Sequence, residues 1–138
     1  MEKTIDMQLM RYLNLFEKIC KVVTKHVALY NSAIIFFVNA KDVSRAIGEN
    51  GKNIRQLNEI LNKKIKVVAL PYSIMDIQKF FSAVIYPTKF KNIEIKDNEV
   101  VINAGRQSKA ILIGRNKARL AEMQKISQEY FGKSVRIV

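Results

Sequence analysis

Cysteine occurs once, at Cys20, so no disulfide can close within the chain and no cysteine cluster can hold zinc; a reducing, cytoplasmic setting is expected. Histidine also occurs once, at His26, and no recognisable motif supplies it with the partners that acid–base catalysis needs. Two prolines and five glycines, against 49% apolar residues, exclude a low-complexity or disordered chain. Long hydrophobic runs are missing: the longest, residues 33–38, is six residues and too short to span a bilayer. The opening Met1-Glu2-Lys3-Thr4-Ile5-Asp6 lacks the apolar stretch of a signal peptide. A soluble intracellular protein that spans no membrane is therefore expected.

Acidic side chains are the other scarce commodity. Twelve Asp and Glu stand against 24 Lys and Arg, a net charge of +12, which predicts a polyanionic partner, either nucleic acid or an acidic membrane surface. No basic tail accounts for the excess, because residues 1–70 and residues 71–138 each hold 12 basic and 6 acidic side chains. At 138 residues the chain has room for one ordinary domain or two very small ones.

Periodicity favours two. Met7, Met10, Leu13, Leu15, Phe16 and Ile19 predict a helix over residues 4–18. Residues 21–30 and 33–38, separated by Asn31-Ser32, predict a β-hairpin. Val43, Ala46 and Ile47 resume helical spacing, Gly48 and Gly51 interrupt it, and Ile54, Leu57, Ile60 and Leu61 restart it up to Asn62; residues 65–70 read as a strand closed by Pro71. The second half repeats this order. Ser73 caps a predicted helix that ends before Pro87, residues 93–96 and 100–104 flank Asp97-Asn98 as a hairpin, helices follow over 109–113 and 116–130, Gly132 ends the second, and residues 135–138 form a strand. Residues 46–54 also align with residues 112–120 at a constant offset, so two copies of one α-β-β-α-α-β unit, an α+β sandwich over 1–70 and another over 71–138, are expected.

The interrupted helix pair carries the chemistry. Gly48 and Gly51 lack a Cβ and can adopt positive φ, which lets a phosphodiester backbone approach the peptide closely. The helix starting near Gly51 turns its positive end toward such a phosphate, Lys52, Arg45 and Arg55 add cations, and Ile47 and Ile54 can wall a groove for unpaired bases. Glu49 and Asn50 complete the turn through their backbone. The stretch is not a Walker A loop, since Ala46 stands at the first glycine and Asn53 follows Lys52 where Ser or Thr belongs. Nor is it a Rossmann fingerprint, because it follows a helical segment. No nucleotide cofactor, metal, small-molecule substrate or enzymatic activity is expected. Phe36, Phe37, Phe80 and Phe81 are expected to divide, one ring of each adjacent pair facing the core and the other elsewhere, and Cys20 is read as a small buried hydrophobe.

Residues 47–54, Ile-Gly-Glu-Asn-Gly-Lys-Asn-Ile, resemble the I-G-x-x-G-x-x-I signature of KH domains, and the element order resembles their type II topology. Two such units with little outside them, and the opening Met-Arg-Tyr-Leu-Asn-Leu-Phe-Glu of residues 10–17, are similar to the archaeal NusA-type transcription termination and antitermination factors. The resemblance implies tandem type II KH domains that bind single-stranded RNA and act beside RNA polymerase, with the GxxG loop clamping the RNA backbone. In the second copy, Ile113, Gly114, Arg115, Asn116, Lys117 and Arg119 take the corresponding places. There Lys117 replaces the second glycine, so that loop is expected to be degenerate, harder for a backbone to approach, and weak on its own, with Lys117 as a point charge for a phosphate, and Arg115 and Arg119 close by, as a partial offset. The alternative is a basic module that docks polymerase or a ribosomal assembly, with RNA binding vestigial.

Overall fold

The computed structural model describes residues 6–138, and the chain divides between Leu70 and Pro71 into two compact α+β units. In the first, Asp6 caps helix α1 (Met7–Cys20) by accepting the Gln8 amide at 2.7 Å, and Lys21 ends the helix in the left-handed region at φ +59°. The start expected at Thr4 lies outside the described residues. Tyr12, Phe16 and Cys20, spaced four apart, form the buried stripe of α1.

Strands β1 (His26–Tyr30) and β2 (Ala33–Val38) are joined by Asn31 and Ser32, both at positive φ, the geometry that matches the twist of a tight hairpin. Helices α2 (Val43–Ile47) and α3 (Lys52–Leu61) follow, and strand β3 (Lys64–Ala69) completes a sheet of order β1-β2-β3, antiparallel then parallel. Ile34, Phe36 and Val38 bring one face of β2 into a core with Tyr12, Phe16, Ala46, Leu57 and Ile65. Phe16 and Phe36 stack there with ring centroids 4.2 Å apart.

The second unit has the same plan. Ser73 accepts the Met75 amide and opens a short 3₁₀ turn into helix α4 (Ile77–Ile85), followed by β4 (Asn92–Lys96), β5 (Glu99–Asn103), α5 (Arg106–Ile113), α6 (Ala118–Phe131) and β6 (Ser134–Ile137). Its sheet runs β4-β5-β6, again antiparallel then parallel. Gln124 fastens α6 to β6 by donating to the Val135 carbonyl and accepting its amide, each at 2.7 Å.

Two expectations are corrected. The strand predicted from residue 21 begins only at His26: Lys21 belongs to the helix cap, and the Thr24 hydroxyl donates to the Phe37 carbonyl and accepts the His26 amide, replacing ladder pairing. The adjacent phenylalanines do not divide, because all four are buried. β2 is the central strand and is buried at every position, which takes in both Phe36 and Phe37. On α4, neighbours lie about 100° apart, within an apolar arc that also holds Ile77, Val84 and Ile85, and both Phe80 and Phe81 reach Phe131, at centroid distances of 5.4 and 5.9 Å. Among the described residues, no helix is long and apolar enough to cross a membrane.

Candidate nucleic-acid interface

α2 ends because Gly48 leaves the helical region at φ +84°, ψ 166°. Glu49–Gly51 then form a single 3₁₀ turn in which Asn50 (φ +54°) and Gly51 (φ +73°) are left-handed, and α3 starts at Lys52. Three of the four loop residues thus have positive φ, and the non-glycine among them is asparagine, a residue that tolerates this region. The Gly48 amide donates to the Ser44 carbonyl at 3.0 Å and the Gly51 amide to the Gly48 carbonyl at 3.1 Å, leaving the Glu49 and Asn50 amides outside this ladder. The result is a tight exposed turn at the positive end of a ten-residue helix, suited to an anion.

The two glycines serve different ends. A Cβ on Gly48 would fall 2.9 Å from the Asn53 side chain and 3.1 Å from its backbone nitrogen, so the position has no room for one. A Cβ on Gly51 would meet only the Arg55 guanidinium, at 3.5 Å, an ordinary contact. Only the first position excludes a side chain on steric grounds; the second needs only a residue able to bear positive φ.

The second unit repeats the turn with other residues. Gly114 (φ +76°, ψ 169°), Asn116 (φ +55°) and Lys117 (φ +60°) match Gly48, Asn50 and Gly51. The same hydrogen bonds recur, Gly114 to the Ala110 carbonyl at 3.0 Å and Lys117 to the Gly114 carbonyl at 3.1 Å. Lys117 therefore adopts the glycine conformation itself, at a cost of roughly 1 kcal/mol, without remodelling the loop.

The predicted side chains are not equivalent. Lys52 is exposed beside the first loop, as are Glu49 and Asn50. Arg45 is exposed too, but its guanidinium pairs with Asp42 at 3.1 Å. Arg55, expected as a free cation, instead donates to the Asn50 carbonyl and braces the turn. Ile54 packs against the core cluster while Ile47 is half-buried, so Ile54 is shared between the core and any groove wall. In the second loop Arg115, Asn116 and Lys117 are exposed and Ile113 is half-buried. Arg119 is corrected: it is half-buried, its Cγ and backbone nitrogen lie 2.7 and 2.9 Å from where a Gly114 Cβ would be, and its guanidinium pairs with Glu122 at 3.0 Å.

Asn53 was missed as a functional residue. Its Nδ2 donates to the carbonyls of Arg45 at 3.3 Å and Ala46 at 3.1 Å, tying the last turn of α2 to the first turn of α3 across the loop. The constant offset that aligns the two halves pairs it with Arg119, and that pairing was the available signal. An open pocket of about 470 Å³ lined by Tyr72, Ile74, Ile95, Tyr130, Phe131 and Lys133 among others contains no residue of either loop.

The KH domain family matches residues 12–71, which holds all of this first-loop geometry. A solved structure titled "Crystal structure of APE1850" is similar over 97% of this chain and 100% of its own, with 26% identity and a TM-score of 0.65. No curated protein sequence matches the chain. A KH domain is thus present in the first unit, and with it comes support for RNA binding.

Proposed function

We propose that the protein is a single-stranded RNA-binding factor built from two type II KH modules, acting with RNA polymerase in transcription termination or antitermination. The observation that carries the binding half is the Gly48–Gly51 turn: a sterically enforced glycine, two further left-handed residues and the start of α3 in a stretch matched by the KH family. Duplex RNA offers its phosphates but not its base edges to such a loop, whereas a single strand can lay its backbone on the turn and its bases against Ile47 and Ile54. The charge of +12 favours a long polyanion. The role beside polymerase rests on the resemblance of the paired units and the residue 10–17 stretch to NusA-type factors, and in this reading RNA is bound in the cytoplasm without being turned over.

Two assays test the proposal. A short unstructured RNA should bind more tightly than the duplex it forms with a complementary strand, and adding the protein to an elongating polymerase should change read-through at a terminator. Equal affinity for single strand and duplex would contradict the first half, and unchanged read-through the second.

A further inference from the structure

The two loops share a backbone but not an electrostatic character. Residues 100–121, which hold β5 after its first residue Glu99, α5 and the second loop, contain five basic and no acidic side chains. The corresponding residues 34–55 of the first unit contain four basic and two acidic ones. At the loop itself the exposed Glu49 is answered by the exposed Arg115, and Gly51 by Lys117. Of the first loop's cations, Arg45 is paired with Asp42, Arg55 is turned onto the Asn50 carbonyl and Lys52 is exposed. Around the second loop, Arg106, Lys109, Arg115 and Lys117 are all exposed, and none is ion-paired among the described residues. Only Arg119 is paired, with Glu122.

We infer that the second loop is the principal phosphate-binding site of this protein, and that the first is the closer-fitting but electrostatically weaker one. The inference rests on the RNA-binding reading above and reverses the expectation of a weak second loop. That expectation rests on a side chain hindering the backbone's approach at the second glycine's place. The turn itself survives the change, since the position tolerates a Cβ and Lys117 holds the same left-handed conformation as Gly51. Lys117 then supplies a point charge where the first loop has none, and Arg115 a planar guanidinium able to grip a phosphate through two N–H groups.

The test uses the full chain, a labelled unstructured RNA of about ten nucleotides and a titration of salt. Counterion release gives a log-log slope of about −0.7 per phosphate neutralised on a single strand. Lys117→Gly restores a second glycine and removes a cation; it should weaken binding and make the slope shallower by about 0.7. Arg115→Glu, which installs the charge found in the first loop, should weaken binding further, and Glu49→Arg should strengthen it. Tighter binding by Lys117→Gly, or a larger slope change from Lys52→Ala than from Lys117→Gly, overturns the inference. If wild type binds no single-stranded RNA, the functional reading itself fails. If binding is lost in a Glu49→Asp, Asn50→Asp double variant but unmoved by Arg115→Glu and Lys117→Gly, that reading stands and this inference falls.

Discussion

Gly48 and Gly114 are fixed by two demands at once, a φ of +84° or +76° and a helix that leaves no space for a Cβ, whereas Gly51 answers only to the first. Replacing Gly48 or Gly114 by alanine should lower stability by about 2 to 3 kcal/mol, since steric overlap adds to the backbone strain. Gly51→Ala should cost only about 1 kcal/mol. Chemical denaturation of the three variants measures the difference, and equal losses at Gly48 and Gly51 would refute the distinction. The glycine spacing and the flanking isoleucines were legible in the sequence because conformational freedom is a property of the residue itself. Asn53, Arg55 and Arg119 were not, because what each does depends on a carbonyl or carboxylate that only the fold brings within reach. Cys20 lies between these cases: its burial follows from its place on the α1 stripe, and desolvation pushes its thiol up to about 11. In the native protein at pH 8 it should resist alkylation that proceeds readily in denaturant; rapid native labelling would contradict its burial.

At the scale of elements, the strands and helices were read correctly wherever apolar period and turn residues agreed, as at Asn31-Ser32 and Gly132. Residues 21–25 failed because β-branched residues raise strand propensity equally in an extended linker, and nothing local announces that the Thr24 hydroxyl will take the place of ladder pairing. β3 carries a different penalty. Lys66 is half-buried on it, and desolvation, with the nearby Lys64 charge, pulls its amine down to about 8. Folding therefore favours the neutral amine. Below pH 8 both folded and unfolded states hold the proton and the cost is fully present; between about pH 8 and 10.5 the folded state alone releases it, so stability contributed at this site rises with pH. Thermal unfolding should show wild type gaining on Lys66→Met between pH 8 and 10. A constant difference across that range would show that Lys66 does not titrate early.

The molecule as a whole repeats one topology, and each repeat places its loop at the start of the helix before its closing parallel strand. That duplication was visible in the offset between residues 46–54 and 112–120, while the conservation of loop conformation through a Gly-to-Lys change was not, since it depends on the open space at Gly51. With +12 spread evenly over both halves, affinity for RNA should fall steeply and linearly on a log-log plot as salt rises. A flat salt response would remove the electrostatic argument altogether. The central claim is that single-stranded RNA is held on the Gly48–Gly51 turn. Its most direct test compares wild type with a Glu49→Asp, Asn50→Asp variant for binding to one short unstructured RNA, with circular dichroism confirming that the variant is folded. Short carboxylates at both positions of the turn should repel the phosphate there and weaken binding, the second loop keeping the remainder, and equal binding by the two proteins would contradict the claim.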